Sequence, residues 1–262
     1  MVEPPAPGRV FGLPMRPLLA DCAPSGRIRL DALARWLQDV AYADIEDAGI
    51  ESAAIWVVRR TRLLVQGFPR FGERLRVETF ASGIGRMWAE RRTTVRPLLV
   101  DAGAGENASS TSSARPLVEA VSLWIHLDPI RRVPAPLSEG ELSVYREAAG
   151  NRRFSYRLGH PKPDQAEGLA ESEWIFRRAD LDLADHVNNA AYWEPLEEEL
   201  LAGGRDPTVV DAEVEFRMPA QPGPVRMLRD GCYRWLTDPN SGEVYASMLL
   251  IDGFTTSAAV PR

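Results

Sequence analysis

The sequence runs through the same order of elements twice, and this repeat constrains the fold more than any other feature. Each half begins with an extended segment, passes through an aspartate-containing turn into a helix, and then continues through several extended segments. Few residues are identical between the halves, so the repeat lies in the order of elements. A chain that repeats one supersecondary unit predicts two similar modules rather than one mixed domain.

The first half predicts one long helix followed by four strands. Helical spacing of apolar residues over 29–49 involves Leu30, Leu33, Ala34, Leu37, Val40, Ala41 and Ile45. Asp31 is placed to cap the start of this helix, and Gly49 is placed to end it. Extended segments are predicted at 55–65, 74–82, 86–100 and 118–128. The small polar stretch 101–116 predicts a hairpin loop.

A proline-rich, charged region without clear periodicity separates the halves, which is typical of a linker with one short helix near 138–150. The second half predicts strands at 174–182, 209–218, 224–236 and 243–252, with a helix at 188–203. The predicted division is 1–133 for the N-terminal module, 134–169 for the linker and 170–262 for the C-terminal module. A long helix beside a curved antiparallel sheet, made twice, is an α+β architecture.

Composition excludes several classes of protein. The chain is 45% hydrophobic and 26% charged, which is typical of a globular protein, and its net charge of −6 argues against nucleic-acid binding. No apolar run approaches the ~18 residues of a membrane span, and MVEPPAPGRVF lacks the features of a signal peptide. Two cysteines make neither a disulfide framework nor a metal cluster. We expect a cytoplasmic protein without metal or cofactor.

The stretch DLDLADHVNNAAY at 180–192 carries the candidate chemistry. Asp182 can act as a base or nucleophile, and His186 can orient water or transfer protons near neutral pH. The helix predicted to begin near Asn188 would supply free N–H groups that polarise a carbonyl. A purely structural interpretation is also open: Asp182 or Asp185 caps the helix, His186 makes a structural hydrogen bond, and Asn188 and Asn189 serve the turn and cap.

Other polar residues receive structural interpretations. His126 lies in an apolar strand pattern and is expected to be a core histidine, whereas His160 is expected to lie exposed in the linker. Cys22 and Cys232 are expected to be inert thiols, and the acidic run 197–199 is expected to be the solvated face of a helix.

These segments resemble the acyl-acyl-carrier-protein thioesterases, which are built as a tandem, or double, hotdog. The resemblance rests on D-L-D-x-x-x-H-V-N-N-x-x-Y at 180–192, on the run 56–92 with its WVVRR opening and PRFGE turn, and on SLWIHLDPIRR at 122–132. It implies a thioesterase of fatty acid biosynthesis that hydrolyses long-chain acyl-carrier-protein thioesters to free fatty acid. It implies Asp182 and His186 as catalytic residues.

The sequence departs from the family pattern at two catalytic positions. Where the family has Asp-x-Asn-x-His, this chain has Ala184 between Asp182 and His186. Where the family places a glutamate after the second-half helix, the chain has Pro219 and Ala220. One carboxylate beside a helix N-terminus still resembles the arrangement in single-hotdog thioesterases.

Two alternatives to the leading interpretation stay open. One is an acyl-coenzyme A thioesterase, and the other is a non-catalytic acyl-binding protein with a degenerate double hotdog. The leading interpretation predicts an acidic acyl carrier protein as partner, and the chain is expected to be a monomer or a homodimer. The candidate arginines for this partner are Arg91, Arg92, Arg131, Arg132, Arg177 and Arg178.

Overall fold

The structure is a computed structural model, and it describes residues 8–50, 55–98, 115–163, 169–202, 204 and 206–252. Its strands are β1 Phe11–Met15, β2 Ile55–Val65, β3 Leu75–Ile84, β4 Trp88–Pro97, β5 Val118–Leu127, β6 Ala170–Phe176, β7 Val210–Phe216, β8 Gly223–Asp230, β9 Tyr233–Thr237 and β10 Val244–Asp252. Its helices are α1 Leu30–Asp47, α2 Glu139–Ala149 and α3 Glu194–Ala202. The loop predicted at 101–116 lies almost wholly outside the described residues.

All ten strands form one antiparallel sheet in the order β1-β3-β4-β5-β2-β7-β10-β9-β8-β6. Read inward from its two edges, the sheet gives the same order twice, because β6, β8, β9, β10 and β7 repeat β1, β3, β4, β5 and β2. The two halves join where β2 pairs with β7, from Arg60 opposite Glu215 to Val65 opposite Val210. The predicted α+β double hotdog is confirmed, while the boundaries at 133 and 170 stay predictions.

Helix α1 lies in a core that both halves share. Its buried residues include Leu30, Leu33 and Leu37, and they belong to one apolar cluster with Trp193 and Leu196 of the second half. These spacings place one apolar stripe toward the sheet and toward α3. No helix within the described ranges has the length and apolarity that a membrane crossing requires.

The ends of α1 agree with the sequence at one terminus only. Gly49 follows the helix with a φ of +65°, the left-handed conformation that glycine adopts without steric cost. The predicted cap at Asp31 is wrong, because the N-cap residue is Arg29. Asp31 is instead buried, and it accepts hydrogen bonds from Arg29 Nε (2.9 Å) and Arg35 Nη1 (2.6 Å).

Two predicted segments are divided differently in the structure. The strand predicted at 224–236 is a hairpin of β8 and β9, in which Asp230 pairs with Tyr233. Gly231 has a φ of +51°, and the two-residue turn Gly231-Cys232 reverses the chain between this pair. The helix predicted at 188–203 opens with a single 3-10 turn, Ala191–Trp193, before α3 begins.

The predicted linker contains α2, which packs against β3. A capping box begins the helix, since Ser138 Oγ accepts from the Glu141 N–H at 3.2 Å and Glu141 accepts from the Ser138 N–H at 2.7 Å. The short helix predicted near 138–150 is therefore confirmed, and it belongs to the packed fold.

A buried ion pair ties α1 to β4. Arg91 lies 2.7 Å from Asp44, and Arg9 binds the other carboxylate oxygen of Asp44 at 2.8 Å. The guanidinium of Arg91 also lies over the ring of Tyr145 in α2, 5.5 Å from its centroid. Arg91 is only 8% exposed, so the prediction that it contacts a carrier protein is wrong. Its guanidinium is paired with the carboxylate of Asp44 inside the fold.

Replacing Arg91 with alanine should lower the free energy of unfolding by about 3 kcal/mol, because the buried Asp44 carboxylate loses one of its two arginines. The matched variant Arg92→Ala should cost less than about 1 kcal/mol, since an ion pair this long contributes little. Arg92 lies 3.8 Å from Glu90 and is 28% exposed. Denaturant unfolding followed by circular dichroism measures both values, and equal losses in the two variants would contradict the assignment.

Candidate active site

The aspartate-rich stretch forms a tight turn between two bridged residues, Leu181 and Val187. The N–H of Asp182 donates to the carbonyl of His186 at 2.9 Å, and the N–H of Asp185 donates to the carbonyl of Asp182 at 3.0 Å. Asp185 has a φ of +61°, a conformation that aspartate tolerates better than most residues. The turn therefore places Asp182 and His186 at its two ends.

The carboxylate of Asp182 has one engaged oxygen and one lightly held oxygen. Oδ1 accepts a hydrogen bond from the N–H of Ala184 at 2.8 Å, within the turn. Oδ2 faces Nδ2 of Asn188 at 3.5 Å, the long limit of a hydrogen bond. Asp182 does not cap the following helix, so its second oxygen is left for other chemistry.

The side chain of His186 is half-buried, and it makes no hydrogen bond to any other residue that the structure describes. The purely structural hydrogen bond considered for this residue is therefore not found. The structure brings His186 and Asp182 into one turn without a hydrogen bond between their side chains.

Asn188 serves the turn before the 3-10 turn, as its structural interpretation predicted, but the N-cap residue is Ala190, which has no side-chain cap. Oδ1 of Asn188 accepts from the N–H of Ala190 at 2.8 Å. Asn188 also forms a reciprocal amide pair with Gln38 of α1, with both hydrogen bonds at 3.1 Å. Sequence reasoning missed Gln38; the one signal available was a polar residue directly after the buried Leu37 on the apolar helix.

A narrow crevice between the halves includes Gln38 of this pair. It is lined by Ala34, Leu37, Gln38, Val58, Thr61, Ser122, Trp124, Asn189, Trp193 and Phe216. Its polar lining residues are Gln38, Asn189 and the hydroxyl pair Thr61–Ser122 (3.1 Å), and the others are apolar. Its volume of about 10 Å³ is close to that of one water molecule, so a larger ligand requires its walls to move apart.

The first half repeats the backbone of the turn with different side chains. The N–H of Ala23 donates to the carbonyl of Arg27 at 2.8 Å, the N–H of Gly26 donates to the carbonyl of Ala23 at 2.8 Å, and Gly26 has a φ of +83°. These bonds match those of Asp182, Asp185 and His186 one for one. Ala23 thus stands where the second half has Asp182, and Arg27 stands where it has His186.

In the first-half arrangement, the residues equivalent to His186 and Gln38 form an ion pair. Arg27 is fully buried and lies 2.7 Å from Glu197 of α3, the residue equivalent to Gln38. Glu197 Oε2 also accepts from the N–H of Leu30 at 3.1 Å. The expectation that Glu197 lies on a solvated helix face is therefore wrong, since it is only 3% exposed. An acidic residue this deeply buried requires such partners.

The equivalent backbone donor in the second half is free. Asn189 corresponds to Leu30, and its N–H donates to no acceptor within the described residues. Asn189 lines the crevice, and the lightly held oxygen of Asp182 faces the side chain of Asn188, the residue directly before it.

Ala184 stands where the family carries asparagine, and Pro219 and Ala220 stand where it carries glutamate; Pro219 is exposed. Ala184 is exposed at the turn, while Ala220 is fully buried. The N–H of Ala220 donates to Oη of Tyr192 at 2.9 Å, and its carbonyl accepts from the N–H of Val187 at 3.1 Å. Burial raises the pKa of Tyr192 to about 12, so this phenol stays protonated at neutral pH.

The other two histidines are both structural. His126 is buried, as predicted, and its Nδ1 lies 2.7 Å from the carbonyl oxygen of Ala135. His160 was expected to be exposed, and this is wrong: it is 7% exposed, with Nδ1 3.0 Å from Ser247 Oγ. The linker is therefore attached to the sheet through the contact between His160 and Ser247 of β10.

His160, Glu213 and Glu215 offer three ligand atoms within 4.8 Å of one another, a spacing that could hold a metal ion. Arginines already compensate both carboxylates, since Arg217 lies 3.1 Å from Glu215 and Arg60 lies 3.8 Å from Glu213. Burial raises the pKa of Glu213, but the hydrogen bond from His160 and the charge of Arg60 outweigh it and lower the pKa overall. These contacts favour a structural cluster.

The cysteines form no disulfide and lie apart from the turn. Cys22 is half-buried and Cys232 is exposed in the β8–β9 hairpin turn. Burial raises the pKa of the Cys22 thiol, away from the reactive thiolate form.

Comparison with known proteins places this geometry in a family. Residues 15–145 match the profile of the acyl-ACP thioesterase N-terminal domain, and residues 164–224 match that of the C-terminal domain. A similar sequence is an uncharacterized protein of Mycobacterium tuberculosis, 24% identical over 85% of this chain and 83% of that protein. The palmitoyl-acyl carrier protein thioesterase of Arabidopsis thaliana chloroplasts is 24% identical over 62% of this chain and 40% of that protein.

Solved structures agree in fold. An acyl-ACP thioesterase from Bacteroides thetaiotaomicron has a TM-score of 0.71 at 16% identity, covering 92% of this chain and 97% of that one. The 12:0-ACP thioesterase of Umbellularia californica has a TM-score of 0.67 at 17% identity, covering 92% and 96%. With both domain profiles matched in order along the sequence, this chain belongs to the acyl-ACP thioesterase family.

Proposed function

We propose that the protein hydrolyses long-chain acyl-carrier-protein thioesters to free fatty acid during fatty acid biosynthesis, with Asp182 and His186 as its catalytic residues. Family membership and fold support a thioester hydrolase. The observation that carries the site assignment is the difference between the halves. Where the first half holds a carboxylate oxygen of Glu197 on the N–H of Leu30, the second half leaves the equivalent N–H of Asn189 free beside the crevice.

The proposed reaction adds water across the thioester. Oδ2 of Asp182 takes a proton from a water molecule while the oxygen of that water attacks the carbonyl carbon of the thioester. The N–H of Asn189 donates to the oxyanion that develops, as the equivalent N–H of Leu30 donates to an anionic oxygen in the first half. Collapse of the tetrahedral intermediate breaks the carbon–sulfur bond, and the thiolate receives the proton that Asp182 took from water, either directly or by way of His186, so that both side chains return to their starting states. The products are a carboxylic acid and the free thiol of the carrier.

The apolar lining of the crevice favours an acyl chain as the bound group. Val58, Trp124, Trp193 and Phe216 supply apolar walls from both halves, while Gln38 and Asn189 supply polar groups. Because the crevice has a volume of only about 10 Å³, binding requires these walls to move apart, and burial of each methylene between them then stabilises binding by about 0.8 kcal/mol. The thioester would then lie beside the N–H of Asn189.

The proposed carrier protein is acidic, and exposed arginines support that proposal. Of the candidates, Arg131, Arg132, Arg177 and Arg178 are exposed. Arg178 belongs to the 3-10 turn Arg178–Asp180, directly before the catalytic turn. Arg177 is already paired with Asp180 (2.7 Å) and Glu194 (2.9 Å), so it is the weaker candidate.

Replacing Asp182 with asparagine should reduce kcat by about 100- to 10,000-fold, the usual contribution of a general base. The measurement is single-turnover hydrolysis of a long-chain acyl thioester on both carrier protein and coenzyme A, with circular dichroism to confirm the fold. His186→Ala should cost less if this histidine only orients water.

Two results would replace this assignment. If the wild type hydrolyses the thioester and Asp182→Asn matches it, Asp182 is only a turn residue. If the wild type hydrolyses neither substrate yet binds acyl chains, the protein is the non-catalytic acyl-binding alternative. Faster hydrolysis of the coenzyme A substrate would favour the acyl-coenzyme A thioesterase.

Restoring the family residue with Ala184→Asn should raise kcat or leave it unchanged. Ala184 is exposed, and the turn uses only its backbone N–H, which an asparagine also provides. The new amide would lie next to Asp182 without displacing a buried group. Steady-state kinetics on the same substrates test this, and a clear loss of kcat with an intact fold would count against the arrangement.

Salt should weaken recognition of the carrier more than recognition of the acyl group. Raising the ionic strength from about 0.01 M to about 1 M shortens the Debye length from ~30 Å to ~3 Å, so kcat/KM on acyl-carrier protein should fall. The same acyl group on uncharged pantetheine is the matched control, and its kcat/KM should change little. Identical salt responses of the two substrates would refute electrostatic docking.

A further inference from the structure

We propose that Gln38 is a positioning residue for the hydrolysis described above, acting on Asp182 through the side chain of Asn188. The inference rests on that proposed function. Gln38 lies on α1 of the first half, whereas Asn188 and Asp182 lie in the second half. The site is therefore completed across the junction of the two halves.

The amide pair is held by hydrogen bonds in both directions. Gln38 Nε2 donates to Asn188 Oδ1 at 3.1 Å, and Asn188 Nδ2 donates to Gln38 Oε1 at 3.1 Å. Asn188 Nδ2 also faces Asp182 Oδ2 at 3.5 Å. Gln38 is thus one step from the carboxylate oxygen that is proposed to act as base.

A backbone donor decides which way the Asn188 amide points. The N–H of Ala190 can only donate, and it lies 2.8 Å from Oδ1 of Asn188, so Oδ1 is fixed on that side. Nδ2 must then face Asp182, where it offers a donor to the carboxylate. A rotated amide would place its oxygen against the carboxylate and lose the bond from Ala190, and it would also break both bonds to Gln38 in the present orientation of the Gln38 amide.

The first half shows what a charged residue does at the equivalent position. Glu197 replaces Gln38 there, and its carboxylate pairs with the buried Arg27. In the second half a carboxylate at position 38 would stand in the same network as Asp182, and like charges this close are destabilising. A neutral amide can instead both donate and accept, which suits the orientation of Asn188.

The first test replaces Gln38 with methionine, which keeps the length of the side chain and its helix propensity but makes no strong hydrogen bond. We expect kcat to fall by about 10- to 100-fold, the cost of a small displacement of a reacting group. The matched control is Gln66→Met at the end of β2, where Gln66 accepts from Arg115 at 3.0 Å. This control should leave kcat and KM unchanged.

A double variant separates action through Asn188 from direct contact with substrate. If Gln38 acts through Asn188, Gln38→Met should lower kcat no further in a protein that already carries Asn188→Ala. Changes in KM from altered crevice walls should persist in that background. Fully additive losses in kcat would overturn the proposal.

A measurement without substrate keeps the inference distinct from the proposed function. The side-chain amide signals of Asn188 in 15N-labelled protein should shift and exchange faster in Gln38→Met, but not in Gln66→Met. Unchanged Asn188 signals in Gln38→Met would overturn the inference even if the wild type hydrolyses thioesters. If the wild type has no hydrolase activity, the proposed function and the catalytic part of the inference fail together, whatever these signals show.

Discussion

The pairing of β2 with β7 is the contact on which the rest of the structure depends. It joins the two halves edge to edge in antiparallel register, so that each half presents its helix to the turn of the other. Without that register, Gln38 would not reach Asn188 and Glu197 would not reach Arg27. An antiparallel edge pairing also removes two exposed strand edges at once, which protects both halves from pairing with other chains. The site is a consequence of this junction rather than of either half alone.

The two equivalent sites in the chain carry different charged groups. In the first half a buried arginine and a buried glutamate neutralise each other and occupy the space beside the helix start. Burying both charges is costly, and the mutual attraction offsets that cost only because Leu30, Asp206 and Phe68 provide further contacts to the pair. In the second half Gln38 takes the place of Glu197 and His186 takes the place of Arg27, and the carboxylate of Asp182 keeps an oxygen with few bonds.

Local patterns in the sequence predicted what depends on local physics. The periodicity of α1, the four first-half strands and the capped helix α2 follow from residue spacing and short-range hydrogen bonds, and all are present. The hairpin at Gly231 was missed because its two-residue turn adds no length of polar loop between β8 and β9, so the pattern favours a single strand. The position of the turn that carries Asp182 was also predictable, since its polar residues are adjacent in sequence.

Long-range partnerships were not predictable in the same way. Gln38 and Asn188 are 150 residues apart, and neither has a local feature that identifies the other. Arg91 and His160 looked exposed because charged and linker residues usually are, yet Asp44 and Ser247 bind them inside the fold. Burial of a polar residue depends on a distant partner, which spacing along one segment does not reveal.

Holding both modules in one polypeptide also has a genetic consequence. In a homodimer of identical modules, every substitution is present in both sites at once. A residue that fills one site therefore fills the equivalent site as well. Here position 27 holds arginine while its equivalent, position 186, holds histidine, and the two have separate codons. The two modules can therefore be selected separately, one for a rigid ion pair and the other for a reactive site.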